Sequence, residues 1–251
     1  MDQSVLMKVK ETVENMICGE CKTLMISLTG AQGFGWGFGN LDHDLAVLYH
    51  CKVKHPSYMY FDLNVGNYAL DINVRSVKNL LYSGFAHPSF ESIVQYADAE
   101  YIDPEFKPKW DIIESHVNEL FVWKGYIEEE IERFERYPHP RSALHAYRVI
   151  LQPIYTITKK KLKKNIFEII DELGLSIEGP HTAKEAYKEG KKLSDSQTAT
   201  VTRELYNLKD MLYKLLERSG IYPSTDWDNS VYRDWFSRAE NIIFEYFKEY
   251  I

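Results

Sequence analysis

The 251-residue chain is 45% hydrophobic and 27% charged, with 18 tyrosines, 12 phenylalanines and 5 tryptophans. This composition excludes a disordered chain and suffices for one large domain or two modest ones. A formal net charge of −7 excludes a surface that attracts nucleic acid as a whole, so any polyanion must be met by a local basic face.

The N-terminal run MDQSVLMKVKETVENMICGECK lacks the basic start, apolar core and small-residue cleavage site of a signal peptide. No stretch of about eighteen apolar residues reads as a membrane span, and the expected location is the cytoplasm. Cys18 and Cys21 form a CxxC pair that His50 and Cys51 could complete as a zinc site, but the usual second half is absent. Three reduced thiols are the expectation.

In chain order, Val5, Leu6, Val9, Val13, Met16 and Ile17 recur at helical spacing and predict an amphipathic first helix over 5–17. The apolar run 23–28 predicts a buried strand ending at Thr29-Gly30-Ala31, followed by a loop of five glycines counted from Gly30. From Leu41, LDHDLAVLY predicts a second strand, and YMYFDLNV and NYALDINV, parted by Gly66, predict a hairpin. Residues 75–82 and 90–97 read as short helices around the loop at Ala86, His87, Pro88 and Ser89.

Beyond Asp103-Pro104, helical periodicity runs through 110–136, 141–157, 160–173, 182–190, 196–218 and 230–250. Pro153 should kink or end the second of these. The expected architecture is α+β: a mixed sheet flanked by helices over 1–103, then an all-helical domain over 104–251.

The segment SLTGAQGFGWGFGNLDHDLAVL carries the chemistry. Gly30 permits a tight turn where free N–H groups can meet a phosphate. Asp42 and Asp44, two apart on a strand, share one face while His43 takes the other. Phosphoryl and nucleotidyl transfer commonly uses two hard divalent ions held by carboxylates, so a third acid is expected from a neighbouring strand. Asp71 is placed for that role, with Asp62 as its competitor. Read blandly, Asp42 and Asp44 are a turn residue and a strand cap.

Gly30, the glycine and aromatic loop, Asp42-x-Asp44-Leu45 and Asp71 resemble the nucleotidyltransferase signature of the DNA polymerase β superfamily. The runs DINVRSVKNLLYSG from Asp71, HPSFESI from His87, SALHAYRVIL from Ser142 and SGIYP from Ser219 resemble its YcgL-like (RlaP-like) branch, predicted nucleotidyltransferases linked to RNA repair. The resemblance implies transfer of a nucleoside monophosphate from an NTP with two Mg²⁺ (or Mn²⁺) ions on Asp42, Asp44 and Asp71. It spans nearly the whole chain. Where that family has Gly-Ser, this chain has Gly30-Ala31; Thr29 is the candidate to replace the missing hydroxyl, whose loss is worth on the order of 1 kcal/mol.

Further candidates for nucleotide contact are Arg75 and Lys78, and the pair His145 and Arg148, three apart on one helix face. A solvated helix face, or a buried histidine bonded to the backbone, is the plainer reading of each. The lysines at 159, 160, 161, 163 and 164 fit either a basic face for RNA or tRNA or a solvated helix face. Phe34, Trp36 and Phe38 fit either base stacking or anchoring of the loop. The acceptor is open between RNA, a protein and a small molecule, as is a non-catalytic module that binds nucleotide or RNA.

Overall fold

The computed structural model describes residues 1–17, 20–38, 43–52, 56–82, 90–116, 124–219 and 229–250, and side chains at 90, 91, 124 and 229–236 are left aside. Asp42, Cys18, the loop at 86–89 and the end of the SGIYP run lie outside the described residues.

Helix α1 (Gln3–Met16) starts where the Asp2 carboxylate accepts the Ser4 N–H, and it buries Val5, Leu6, Val9 and Val13. Strand β1 (Cys21–Leu28) runs into a single turn, α2 (Gly30–Gly33), and then β2 (His43–Cys51). The hairpin β3 (Tyr58–Val65) and β4 (Tyr68–Ser76) turns at Gly66, whose φ of 58° suits a residue without Cβ. A two-residue strand, β5 (Tyr101–Ile102), adds to the expected four, giving the order β3-β4-β2-β1-β5. β2 lies parallel to β4, and the other pairings are antiparallel. Flanked by partners on both edges, β2 is buried from Leu45 to Tyr49, as a continuous apolar run predicts.

α1 covers one sheet face through Val9, Val13, Ile26, Val47, Ile72 and Val74. The other face holds Met25, Ala46 and Leu48 against α3 (Val77–Leu81), α4 (Phe90–Val94), α5 (Lys107–Ser115) and the end of α11 (Asn229–Tyr246). A separate core surrounds α7 (Pro140–Lys159), packed by α6 (Lys124–Arg136), α8 (Ile166–Leu173), α9 (Gly179–Lys188) and α10 (Asp195–Ser219). The fold is therefore α+β, a mixed sheet flanked by helices with a helical C-terminal region.

Four expectations change. α7 does not end at Pro153 but runs on to Lys159, because burial of nearly every residue from Ala143 to Ile157 outweighs one lost backbone bond. The segment 110–136 is not one helix, since α5 closes at Ser115. Nor is 160–173: Lys160 ends α7 in the left-handed region, and α8 begins only after the Asn165 cap. Arg75 lies on β4, opposite Tyr58, rather than on the following helix.

The thiols also differ. Cys21 and Cys51 open β1 and close β2, sit opposite each other with Cα atoms 4.2 Å apart, and are joined by a disulfide. This replaces the zinc arrangement and two of the three reduced thiols expected from the sequence. Closing a 30-residue separation contributes about 3–4 kcal/mol in the chain-entropy account. Dithiothreitol should lower the unfolding free energy by about that amount, and thiol titration in denaturant should find one free thiol before reduction and three after it. Three thiols without reductant would contradict the bond.

Candidate functional site

Parallel pairing puts Asp44 of β2 directly beside Asp71 of β4, and antiparallel pairing puts Asp62 of β3 directly beside Asp71. Directly paired residues project from the same face. Three acids from three adjacent strands thus form one row, with Asp44 and Asp71 partly exposed and Asp62 exposed. His43 points the other way, where its ring meets Tyr68 edge-on at 5.2 Å. Asp71 is hence the strand neighbour of Asp44, and Asp62 stands one strand further out.

The glycine loop closes one end of this row. Thr29 donates both its backbone N–H (2.7 Å) and its hydroxyl (3.1 Å) to the Asp44 carbonyl. The Thr29 hydroxyl proton is therefore directed at the backbone. Gly30 has φ 59°, and a Cβ there would stand 1.7 Å from Asp44 Oδ2. Only glycine lets the loop approach the carboxylate this closely. Ala31 is partly buried and packs toward the helical core.

The helical region holds the same loop from behind. Ile166 N–H donates to the Phe34 carbonyl (3.2 Å) and Lys184 Nζ to the Gly35 carbonyl (2.8 Å). Asn165 Oδ1, while capping α8, fills the space that a Cβ on Gly35 would need. Phe34 lies 4.7 Å under the Arg148 guanidinium, Trp36 meets His145 edge-on at 5.5 Å, and Phe38 meets Tyr187 at 5.4 Å. With Trp36 1% exposed, its ring is an anchor rather than a stacking surface. Arg148, 8% exposed, also donates to the Tyr126 hydroxyl (3.3 Å). His145 and Arg148 thus meet the loop's aromatic side chains.

His145 has its pKa pushed down to about 4, first by burial and then by Arg148, Arg141 and Arg133. A folded-state value below the ordinary 6.5 means that protonation favours the unfolded chain. The associated stability is complete above pH 6.5 and is lost as pH falls towards about 4. It amounts to at most about 3 kcal/mol. Denaturant titrations at pH 7.5 and 4.5 should show this loss, and His145→Gln should flatten it; an unchanged profile would contradict the assignment.

The lysine run divides. Lys163 pairs with Glu168 and Glu172, whereas Lys159, Lys160 and Lys161 are exposed. Lys164 is 4% exposed and donates to Ser27 Oγ (2.8 Å) and the Asp98 carbonyl (3.3 Å), with Glu100 at 3.7 Å. Burial lowers its pKa, and Glu100 and Asp98 oppose that shift. Glu100 in turn accepts the Leu28 N–H. Lys164 therefore ties the α7–α8 connection to the strand end that feeds the glycine loop. Sequence gave no sign of this, since a lysine run signals solvent and the partners lie far away in the chain. Lys78 is exposed on α3.

Hard carboxylate oxygens from Asp44 and Asp71 suit Mg²⁺ or Mn²⁺, and Gly30 packs directly against the Asp44 carboxylate. Among the described residues no group of three His, Cys, Asp or Glu side chains is set to hold a metal. Asp42, the remaining member of the three expected ligands, lies outside those residues. Among the described residues no helix is long and apolar enough to cross a membrane.

No family model matches the chain, and no curated protein matches it. Among solved structures it is similar to a nucleotidyltransferase-like protein from Exiguobacterium sibiricum 255-15, at 8% identity and TM-score 0.34, over 97% of this chain and 91% of that one. That likeness is too distant to assign chemistry, which must come from the site itself.

Proposed function

We propose that the protein is a metal-dependent nucleotidyltransferase that moves a nucleoside monophosphate from an NTP to an acceptor hydroxyl. The observation that carries this reading is the side-by-side register of Asp44 and Asp71, with Gly30 pressed against the Asp44 carboxylate. Two acids facing one place beside an open backbone turn make a cation site next to a phosphate site.

In this reading Asp42, Asp44 and Asp71 hold Mg²⁺ or Mn²⁺, which supplies charge neutralisation for the phosphates and Lewis acidity at the reacting phosphorus. Thr29, Gly30 and Ala31 bound the triphosphate at the loop end of the row. The acceptor oxygen bonds to the α-phosphorus, the bridging P–O bond to the β-phosphate breaks, pyrophosphate leaves and the hydroxyl proton passes to a carboxylate or water. His145, Arg148, Lys164 and Lys184 act on the loop's shape rather than on the substrate. Arg75, in register with Tyr58 of β3, stands on the side of the row away from the loop.

The test is pyrophosphate release from each of the four NTPs with Mg²⁺ or Mn²⁺, with nucleosides, RNA, tRNA and cell-extract protein as acceptors and Asp44→Asn alongside. Release by the wild type alone supports the reading. Nucleotide binding without release under every pairing would favour a non-catalytic module.

A further inference from the structure

The acid row has two different ends. One is closed by the Gly30 loop against Asp44. The other reaches β3, one of the two edge strands of the sheet among the described residues, which alternates between exposed and half-buried positions along its length. On the face shared with Asp62, that strand presents Tyr60 and Tyr58, which are 58% and 49% exposed. Tyr60 pairs with Asn73 and Tyr58 with Arg75, whose guanidinium lies 5.9 Å over the Tyr58 ring. Tyr60 is the next same-face position along β3 from Asp62, about 7 Å away, so it stands beside the row.

Transfer to phosphorus places the attacking and leaving oxygens roughly in line. If pyrophosphate departs at the loop end, the attacking hydroxyl must arrive from the Asp71 side. We infer that Tyr60 and Tyr58, flanked by Asp62 and Arg75, form the acceptor subsite, and that it takes a nucleoside whose ring stacks on Tyr60 with a ribose hydroxyl turned to Asp71. The inference rests on the proposed transfer reading for its direction, but its binding surface can be tested without turnover.

The occupant follows from the chemistry of the surface. Tyrosine faces and an arginine plane are sequence-tolerant platforms for flat rings. Asp62 and the Tyr60 hydroxyl offer hydrogen-bonding partners at the ring's rim. Successive same-face positions of a strand are about 7 Å apart, so Tyr60 and Tyr58 can each take one ring. The ribose can belong to a free nucleoside or to the end of a short strand, whose second ring would then meet Tyr58.

The experiment combines binding and kinetics. Adenosine and uridine, which lack phosphates, and a trinucleotide with a free 3′ hydroxyl are titrated by saturation-transfer NMR against wild type, Tyr60→Ala, Tyr60→Phe and Tyr58→Ala. We expect Tyr60→Ala to weaken binding about 5- to 150-fold, the range of one lost stack, and Tyr60→Phe to retain most of it. Tyr58→Ala should weaken the trinucleotide but not the nucleosides if strands are the source, and neither if free nucleosides are. In the transfer assay, Tyr60→Ala should raise the acceptor KM and leave the NTP KM unchanged.

Wild-type binding that Tyr60→Ala leaves intact, or no nucleoside binding with a tyrosine-free peptide accepted instead, overturns the inference. Transfer activity with an acceptor KM insensitive to Tyr60 overturns it while leaving the transfer reading standing. Tyr60-dependent nucleoside binding without any transfer would keep the subsite and sink the transfer reading.

Discussion

Asp71→Asn should abolish measurable transfer, lowering kcat by on the order of 10²–10³-fold or more, while the protein folds at least as well as the wild type. Asp71 lies between two other carboxylates, Asp44 and Asp62, in direct register with both. Like charges placed directly opposite in a sheet destabilise it by up to about 1 kcal/mol per pair. A sheet kept only for stability has no use for such a row. Amide replacement keeps shape and size, removes one charge from the row and withdraws a ligand from any cation held there. Thermal denaturation without metal should therefore give an equal or higher midpoint for the variant. With Mn²⁺ added, the wild type should gain stability and the variant should gain less. A variant that melts earlier in metal-free buffer would give Asp71 a structural role instead.

Gly30→Ala is the second large effect. A side chain at φ 59° costs about 1–2 kcal/mol on its own, and the added carbon would stand 1.7 Å from the Asp44 carboxylate. Because Thr29 holds the Asp44 carbonyl with two hydrogen bonds, the backbone cannot easily shift away, and overpacking adds about 1–3 kcal/mol. Denaturant midpoints should fall accordingly, and transfer should be lost even at temperatures where the variant is fully folded. Gly66→Ala is the control. It shares a positive φ of 58° but has nothing within 4 Å of the added carbon, so it should show the conformational cost and keep activity.

Much of the fold was legible because its signals are local. Alternation along β3, the continuous apolar run of β2 and the helical spacing of α1 and α10 each follow from one stretch of residues. That an acid from the hairpin would join Asp44 was legible, but the choice between Asp71 and Asp62 needed the parallel register of β2 with β4. What stayed hidden depends on distant partners. β5 is two residues long and exists only as a neighbour of β1. Cys21 and Cys51 are joined by register, which spacing does not reveal. Pro153 is tolerated because α7 is buried along most of its length. Phe34 and Trp36 found their partners on a helix more than a hundred residues away, and Lys164 left its neighbours to enter the core.

That last group changes how the molecule works in this account. The glycine loop is gripped by residues of α7, α8 and α9, and by Lys164 through β1, so among the described residues the helical region shapes the loop without adding a carboxylate to the acid row. Tyr60 was read only as part of a strand; its exposure beside the acid row needed the sheet order to be seen.

The most direct test of the central claim is a double-label reaction: NTP labelled at the α-phosphorus in one tube and at the γ-phosphorus in another, with Mg²⁺, acceptor, wild type and Asp71→Asn. The account predicts that α-label becomes attached to the acceptor and γ-label appears in pyrophosphate, in equal amounts, and that the variant does neither. Transfer of γ-label to the acceptor, or full activity in Asp71→Asn, would contradict it.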